Sequence, residues 1–374
     1  MKTTIPTALF CLTASIFSIS LQAAGNDSDS TSANTWNSKA AAAYLDQRAA
    51  WWIAWPSAAR DHETFCVSCH TALPYALGRP ALRGALGEQA PSPNERKILD
   101  NVTKRVRLWS EVLPFYNDEK QGVPKTAEAR GTESVLNALI LVSYDNRAGT
   151  FGPDTRTALS NMWALQLKTG EQKGAWTWLN FHNEPWEADD SQYWGAALAA
   201  IAVGTAPADY RATPEVRQGL PLLVEYLRQG RETQSLLNRL ALVWASTQVP
   251  NLLKPEEQKS IVNEVLKVQQ ADGGWTTASL VVKDWKRRDN TPLDSMSDGY
   301  GTGLASFVLL RAGVPRTQAE MKKALAWLSQ NQDPTDGLWR ATSLNKKRDP
   351  ASDAGHFMND AATAYSVLAL TDGK

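Results

Sequence analysis

Cysteine and histidine are scarce in this chain, with three Cys and four His among 374 residues. Two cysteines beyond the N-terminal segment leave no disulfide framework and no second Cys pair of the sort a structural zinc site needs. Net charge is also missing, because 39 Lys and Arg balance 39 Asp and Glu. That balance gives no support for a nucleic-acid partner or a strongly anionic surface. No stretch alternates apolar and polar residues with β-branched enrichment, so strands are not expected. Past the first two dozen residues no apolar run is long enough for a membrane span.

What is present begins with the N-terminus. Lys2 supplies a short basic region, and an apolar run from Ile5 to Leu21 is rich in Ser and Thr and short for a span. Ala23 and Ala24 offer a cleavage site before a polar stretch. The expected organisation is a signal peptide at 1–24, a linker at 25–34 and a single domain at 35–374. An uncleaved anchor is the alternative. Cleavage removes Cys11, and export places the chain in the periplasm or outside the cell with no stable membrane span.

The two remaining cysteines lie in one pentapeptide, Cys66-Val67-Ser68-Cys69-His70. A C-x-x-C-H spacing suits covalent haem c: the two thiols meet the two vinyl groups, and the adjacent imidazole binds iron. Cys66, Cys69 and His70 are therefore the candidate attachment residues for one haem. A C-x-x-C redox pair, a zinc site and a strained short-range disulfide compete with this reading. The redox pair lacks a surrounding βαβ pattern, and the zinc site lacks further ligands.

Helical segments of two kinds alternate along the chain. Amphipathic ones cover Asn37–Ile53, Pro93–Leu113, Pro153–Leu167, Pro214–Arg228, Pro255–Gln270 and Thr317–Gln330, most starting at a Pro or a capping residue. Segments apolar nearly all round, and so expected to be buried, cover Cys66–Leu82, Thr132–Tyr144, Gln192–Val203, Thr233–Ser246, Gly299–Arg311 and Asp360–Leu370. Landmarks on the second set, His70, Glu133, Gln192, Gln234, Tyr300 and Ala361, lie 63, 59, 42, 66 and 61 residues apart. A period of about 60 residues, each with one surface and one buried helix, predicts an all-α (α/α)6 toroid of six helical hairpins.

Three inter-helix loops share a pattern: Gln166 before Gly174-Ala175-Trp176, Gln269-Gln270 before Gly273-Gly274-Trp275, and Gln330 before Gly337-Leu338-Trp339. This resembles the QW repeats of the terpenoid cyclase and protein prenyltransferase superfamily. Ser297-Asp298-Gly299-Tyr300-Gly301-Thr302-Gly303 looks like an inner-helix start of squalene–hopene cyclases. The resemblance spans residues 35–371 and implies the toroid. It also implies chemistry that the residues do not supply. The Asp-x-Asp-Asp acid of the hopene cyclases is missing, and Asp189-Asp190 reads as a helix cap. Of the prenyltransferase zinc ligands only Asp298 has a counterpart.

Loops entering the inner helices open at one end of such a barrel, and they carry His62, His182 and His356 as well as His70. Unit six neighbours unit one in a closed ring, which makes His356 the first choice for a distal iron ligand, Met358 the second and His182 the third. An open iron position is also allowed. Trp51, Trp52, Trp55, Tyr75, Trp176, Trp178, Trp186, Trp194 and Tyr300 are expected near the same mouth, most as packing wedges. The basic clusters Lys283–Arg288 and Lys346–Arg348 read as solvated loop charge or a docking patch for an acidic redox partner. The expected function is an exported haem protein in electron transfer or haem-based redox chemistry, with a periplasmic redox partner or a hydrophobic small molecule. The alternatives are a cyclase-like enzyme and a hydrophobic-ligand module in which C-x-x-C-H is structural.

Overall fold

The structure, a computed structural model, describes residues 36–116 and 123–372. The expected signal peptide at 1–24 and linker at 25–34 both lie outside the described residues. Six outer helices are α1 (Ser38–Ala54), α3 (Pro93–Arg107), α5 (Pro153–Ala164), α7 (Pro214–Gly230), α9 (Pro255–Lys267) and α11 (Ala319–Gln330). They alternate with six inner helices, α2 (Ala72–Leu86), α4 (Val123–Ala148), α6 (Ser191–Thr205), α8 (Leu236–Ser246), α10 (Gly299–Arg311) and α12 (Phe357–Thr371). Each inner helix touches the next, and α12 returns to α2. The chain is an all-α (α/α)6 toroid. No helix among the described residues is long and apolar enough to cross a membrane.

Local chemistry explains the two rings. Pro occupies the first turn of α3, α5, α7 and α9, where its missing N–H costs nothing. Ser92 and Glu95 add a reciprocal capping box to α3, which buries only the stripe Ile98, Val102 and Val106 with a few polar partners. By contrast α6 is buried continuously from Tyr193 to Val203 and α12 from Met358 to Leu370. Such helices form only as the inner wall of a larger body.

The glutamine–tryptophan loops hold neighbouring units together. Gln166 Nε2 donates to the carbonyls of Gly174 (3.0 Å) and Gly219 (2.9 Å), tying its own loop to α7. Gln269 does the same with Gly273 (2.8 Å) and Glu320 (2.9 Å), reaching α11. In the third copy the bridging residue is Gln332, two positions beyond the expected Gln330. Its amide donates to Gly337 O (2.8 Å) and Asn37 O (3.0 Å) and accepts from Asn37 N (2.6 Å), which closes the ring onto α1. Trp176, Trp275 and Trp339 are fully buried, and each indole N–H donates to a carbonyl of the preceding outer helix. Gly337 has φ +75°, and a Cβ there would lie 2.4 Å from the Ala40 carbonyl carbon, so the loop can meet α1 only without a side chain. Gln332→Ala removes the bridge at the ring closure. It is expected to cost about 1–2 kcal/mol, read as a lower urea midpoint at unchanged slope.

Helix bounds differ from the sequence reading in instructive places. The segment expected from Cys66 does not become helical until Ala72, so the C-x-x-C-H residues form a turn ahead of α2 and not its first turn. A two-residue hairpin, Ala59–Arg60 with Thr64–Phe65, precedes it where no strand was expected. Helix α3 stops at Arg107, because Arg105 and Arg130 draw off the carbonyls of Leu113, Trp109 and Val112.

The barrel axis is filled. Trp186 contacts Tyr300 edge-on (5.4 Å between ring centres), Tyr300 contacts Tyr365 (5.8 Å), and Tyr365 contacts Trp244 (6.5 Å) and Phe307 (6.4 Å). This column separates a cavity at the end where inner helices begin, lined by Trp186, from one where they finish, lined by Trp244 and Phe307.

Candidate functional site

The first of these cavities holds the C-x-x-C-H turn. It has a volume of about 260 Å³, opens at the barrel mouth and is lined by Cys66, Cys69 and His70. Its apolar wall is aromatic, with Trp52, Trp55, Phe115, Tyr116, Trp186 and Phe357.

Every backbone constraint on the turn comes from a named side chain or strand. Asn101 pairs with both backbone groups of Phe65, accepting from its N–H (2.8 Å) and donating to its carbonyl (3.0 Å). Cys66 N–H donates to Ala58 O, and its carbonyl accepts from the Trp52 indole (2.7 Å). The buried Arg105–Glu133 pair holds Thr64 through Arg105 Nη1 (2.6 Å). Ser68, between the cysteines, accepts from the N–H groups of Thr71 (3.2 Å) and Ala72 (3.0 Å), so the motif itself caps α2.

His70 is oriented from behind. Its Nδ1 lies 2.9 Å from Thr71 Oγ1, and Thr71 Oγ1 donates at 2.6 Å to Asp360 Oδ2. The hydroxyl has one proton, given to the carboxylate, so toward His70 it can only accept. Burial, helped by Arg48 and Arg348, pulls His70 down to about 3 and keeps the ring neutral. A neutral ring with its proton on Nδ1 presents a bare lone pair on Nε2. The ring stacks on Phe357 (3.9 Å between centres, 27° between planes) and meets the edge of Trp52 (5.0 Å).

Asp360, in the first turn of α12, is the hub. It accepts from Tyr44 Oη (2.8 Å), Arg48 Nε (2.8 Å), Arg48 Nη2 (3.2 Å) and Thr71. All four are donors, so the group that satisfies them is the ionised carboxylate, which burial alone would disfavour. The first turn of α12 thus closes over His70 through Phe357 and Asp360, as the neighbouring of units six and one requires.

Of the other expected ligands, Met358 shares the His70 cavity, and His356 and His182 do not. His356 ends a 3-10 turn and places Nδ1 3.3 Å from Tyr44 Oη, facing a separate surface cleft shared with Trp51, Arg340 and Asp353. Phe357 and Met358 turn the other way and line the His70 cavity, because successive helical residues rotate by about 100°. The second choice, Met358, therefore sits where the first, His356, does not. His182 is exposed, at φ +55°, and pairs with Asp189 (2.8 Å). His62 lies on the hairpin turn beside Asp61. Asp190 does not cap α6 with its side chain; its carboxylate accepts from Asn238 and links α6 to α8. Asp298 is spent on the N-terminus of α10 and on Thr277.

Sequence reading missed Thr71, Asp360, Tyr44 and Arg48. The signal was a Tyr and an Arg on the buried stripe of α1 and a lone acid in an otherwise apolar helix. It also missed Glu184 and Glu187, both lining the cavity. Glu184 is 4% exposed, and its Oε1 has no hydrogen-bond partner among the described residues. Burial, with the carboxylates of Asp190 and Asp189 adding to it, pushes Glu184 up to about 8. The folded protein then holds a proton that the unfolded chain releases, so stability falls as pH rises from the ordinary glutamate range to about 8. Glu184→Gln is expected to flatten that slope and to add a few kcal/mol at pH 8, read by urea unfolding across pH.

Both thiols are unpaired, and burial pushes both well above the ordinary cysteine range. That is opposite to the activated thiol of a redox C-x-x-C pair. Among the described residues no group of three or more Cys, His, Asp or Glu is arranged to hold a bare metal ion. The donor set fits a porphyrin better: two thiols and an imidazole Nε2 on an aromatic-walled cavity. The enclosed volume is below what a whole porphyrin needs, so accommodation includes the open mouth.

No protein family and no curated protein matches the chain. Comparison with solved structures finds a glycosidase point variant, 14% identical with a TM-score of 0.48, over 90% of this chain and 97% of that one. At that distance it carries no argument about function.

Proposed function

We propose that this chain is an exported c-type haem protein in which Cys66 and Cys69 carry the porphyrin and His70 Nε2 binds its iron. The observation that carries the reading is the Asp360–Thr71–His70 relay, which occupies Nδ1 and leaves Nε2 as the free nitrogen of a ring that lines one cavity with both thiols. Bound there, haem supplies one-electron exchange at iron. The chain's own residues do the rest. Cys66 and Cys69 would hold the porphyrin by adding S–H across its vinyl double bonds, an attachment that would consume no oxidant or reductant. Asp360 holds the Thr71 hydroxyl and through it His70 Nδ1–H, raising the basicity of the ligating nitrogen. Trp52, Trp55, Trp186 and Phe357 exclude water from the cavity wall. Met358 lines the same cavity and would be the side chain available to the iron as a second ligand, with His356 left to the cleft.

The basic loops give the reading a partner. Arg288 N–H donates to Asn345 O, and Lys347 N–H donates to Asp289, which sets the two clusters side by side. Arg348 also lines the cavity. An acidic redox protein is the partner such a rim favours.

The filled axis weighs against an isoprenoid substrate inside the toroid, since Tyr300 and Tyr365 occupy the space a long chain would need. Electrophoresis in SDS followed by haem peroxidase staining tests the proposal: stain travelling with the chain is expected, and an unstained band overturns it.

A further inference from the structure

We infer that the pocket at the far end of the barrel axis is a binding site for a small amphipathic anion, a carboxylate- or phosphate-headed molecule with an apolar body. The pocket has a volume of about 280 Å³ and takes lining residues from all six inner helices. Its larger apolar side chains are Leu77, Ile201, Trp244, Phe307 and Leu368, one from each inner helix except α4, with Ala81 of α2 beside them. From α4 comes Arg147, and from α10 comes Arg311, each in the last turn of its helix. These helices belong to units two and five of six, so the guanidinium groups approach from opposite sides of the axis.

A cation in the last turn of a helix is ordinary compensation of the helix dipole. Two features go beyond that. Arg147 forms no ion pair among the described residues, and its one hydrogen bond there is a 3.4 Å contact with Leu77 O. The Arg147 side chain is itself exposed, so it stands at the mouth of the pocket. Among the described residues one carboxylate lines the pocket, Asp372, and it stands 3.7 Å from Arg311. Two guanidinium groups and one carboxylate thus face the apolar floor, with the carbonyl ends of the inner helices offsetting part of the positive charge and Arg147 left without an ionic partner among the described residues. An anionic head supplies that partner, Ser143 and Gln248 offer neutral hydrogen bonds, and an apolar body covers Trp244 and Phe307.

The test is calorimetric titration of the purified full chain with octanoate, octyl phosphate and neutral octanamide. At least one anion is expected to bind at least about tenfold more tightly than the amide. Arg147→Gln and Arg311→Gln should each bring the anion down to the level of the amide, while Lys at either position keeps part of the preference. Melting without ligand reports whether each variant folds. Both side chains are exposed, so both variants are expected to fold. Equal binding of anion and amide, no binding of either anion, or variants with unchanged affinity would overturn the inference. None of these outcomes depends on whether the protein carries haem.

Discussion

Asp360→Ala is expected to lower unfolding stability by about 3–5 kcal/mol, the largest loss for any single side chain at the site. The carboxylate is 2% exposed and Arg48 6%, so the mutation strands a buried guanidinium. Arg48 keeps the face of Trp51 and, as a counter-charge among the described residues, only Asp353, whose carboxylate is 59% exposed and so weak. Tyr44 and Thr71 lose their acceptor as well. Thr71 then turns its proton toward His70 Nδ1 or leaves it, and the fixed tautomer is lost. Asp360→Asn keeps the shape and part of the hydrogen bonding, and should fall between parent and alanine variant. Urea unfolding measures the loss, and a change below about 1 kcal/mol would show that the network does not hold units six and one together.

The second large effect is all-or-none. A chain with Cys66→Ala and Cys69→Ala together should lose every trace of denaturant-resistant haem stain, while either single variant keeps one thioether and some stain. Circular dichroism of the double variant should still report the helical toroid, because the turn is held by Asn101, Trp52 and Ser68 rather than by the thiols. Stain that survives the double substitution would put attachment elsewhere, and the one other cysteine in the sequence is Cys11. His70→Ala separates ligation from attachment: it keeps the covalent stain and changes the visible spectrum of the oxidised protein.

How much of this was legible beforehand follows from the scale of each interaction. The toroid was readable because its cause is repeated: six apolar helices that cannot be solvated and six amphipathic ones that can, at near-constant spacing. The ring closure was readable in outline, but Gln332 was not, because choosing between it and Gln330 depends on where the helix ends, and that is set by tertiary contacts. The turn at Cys66–His70 looked helical because its residues carry no helix breaker. Pairing of Phe65 with Asn101, 36 positions away, decides otherwise. Chain proximity alone ranked His356 ahead of Met358. The direction in which α12 starts separates them, and local sequence does not encode it. Asp360 was visible as an acid out of place in an apolar helix, and its meaning appeared only with Tyr44 and Arg48 placed opposite it.

The central claim, that Cys66, Cys69 and His70 hold a covalent haem, is tested most directly by the spectrum of the protein in alkaline pyridine after export and purification under denaturing conditions. The account predicts the reduced haemochrome band of a porphyrin whose two vinyl groups have both been saturated by thioethers, one haem per chain. A colourless protein, or pigment that separates from the chain on denaturation, would contradict it.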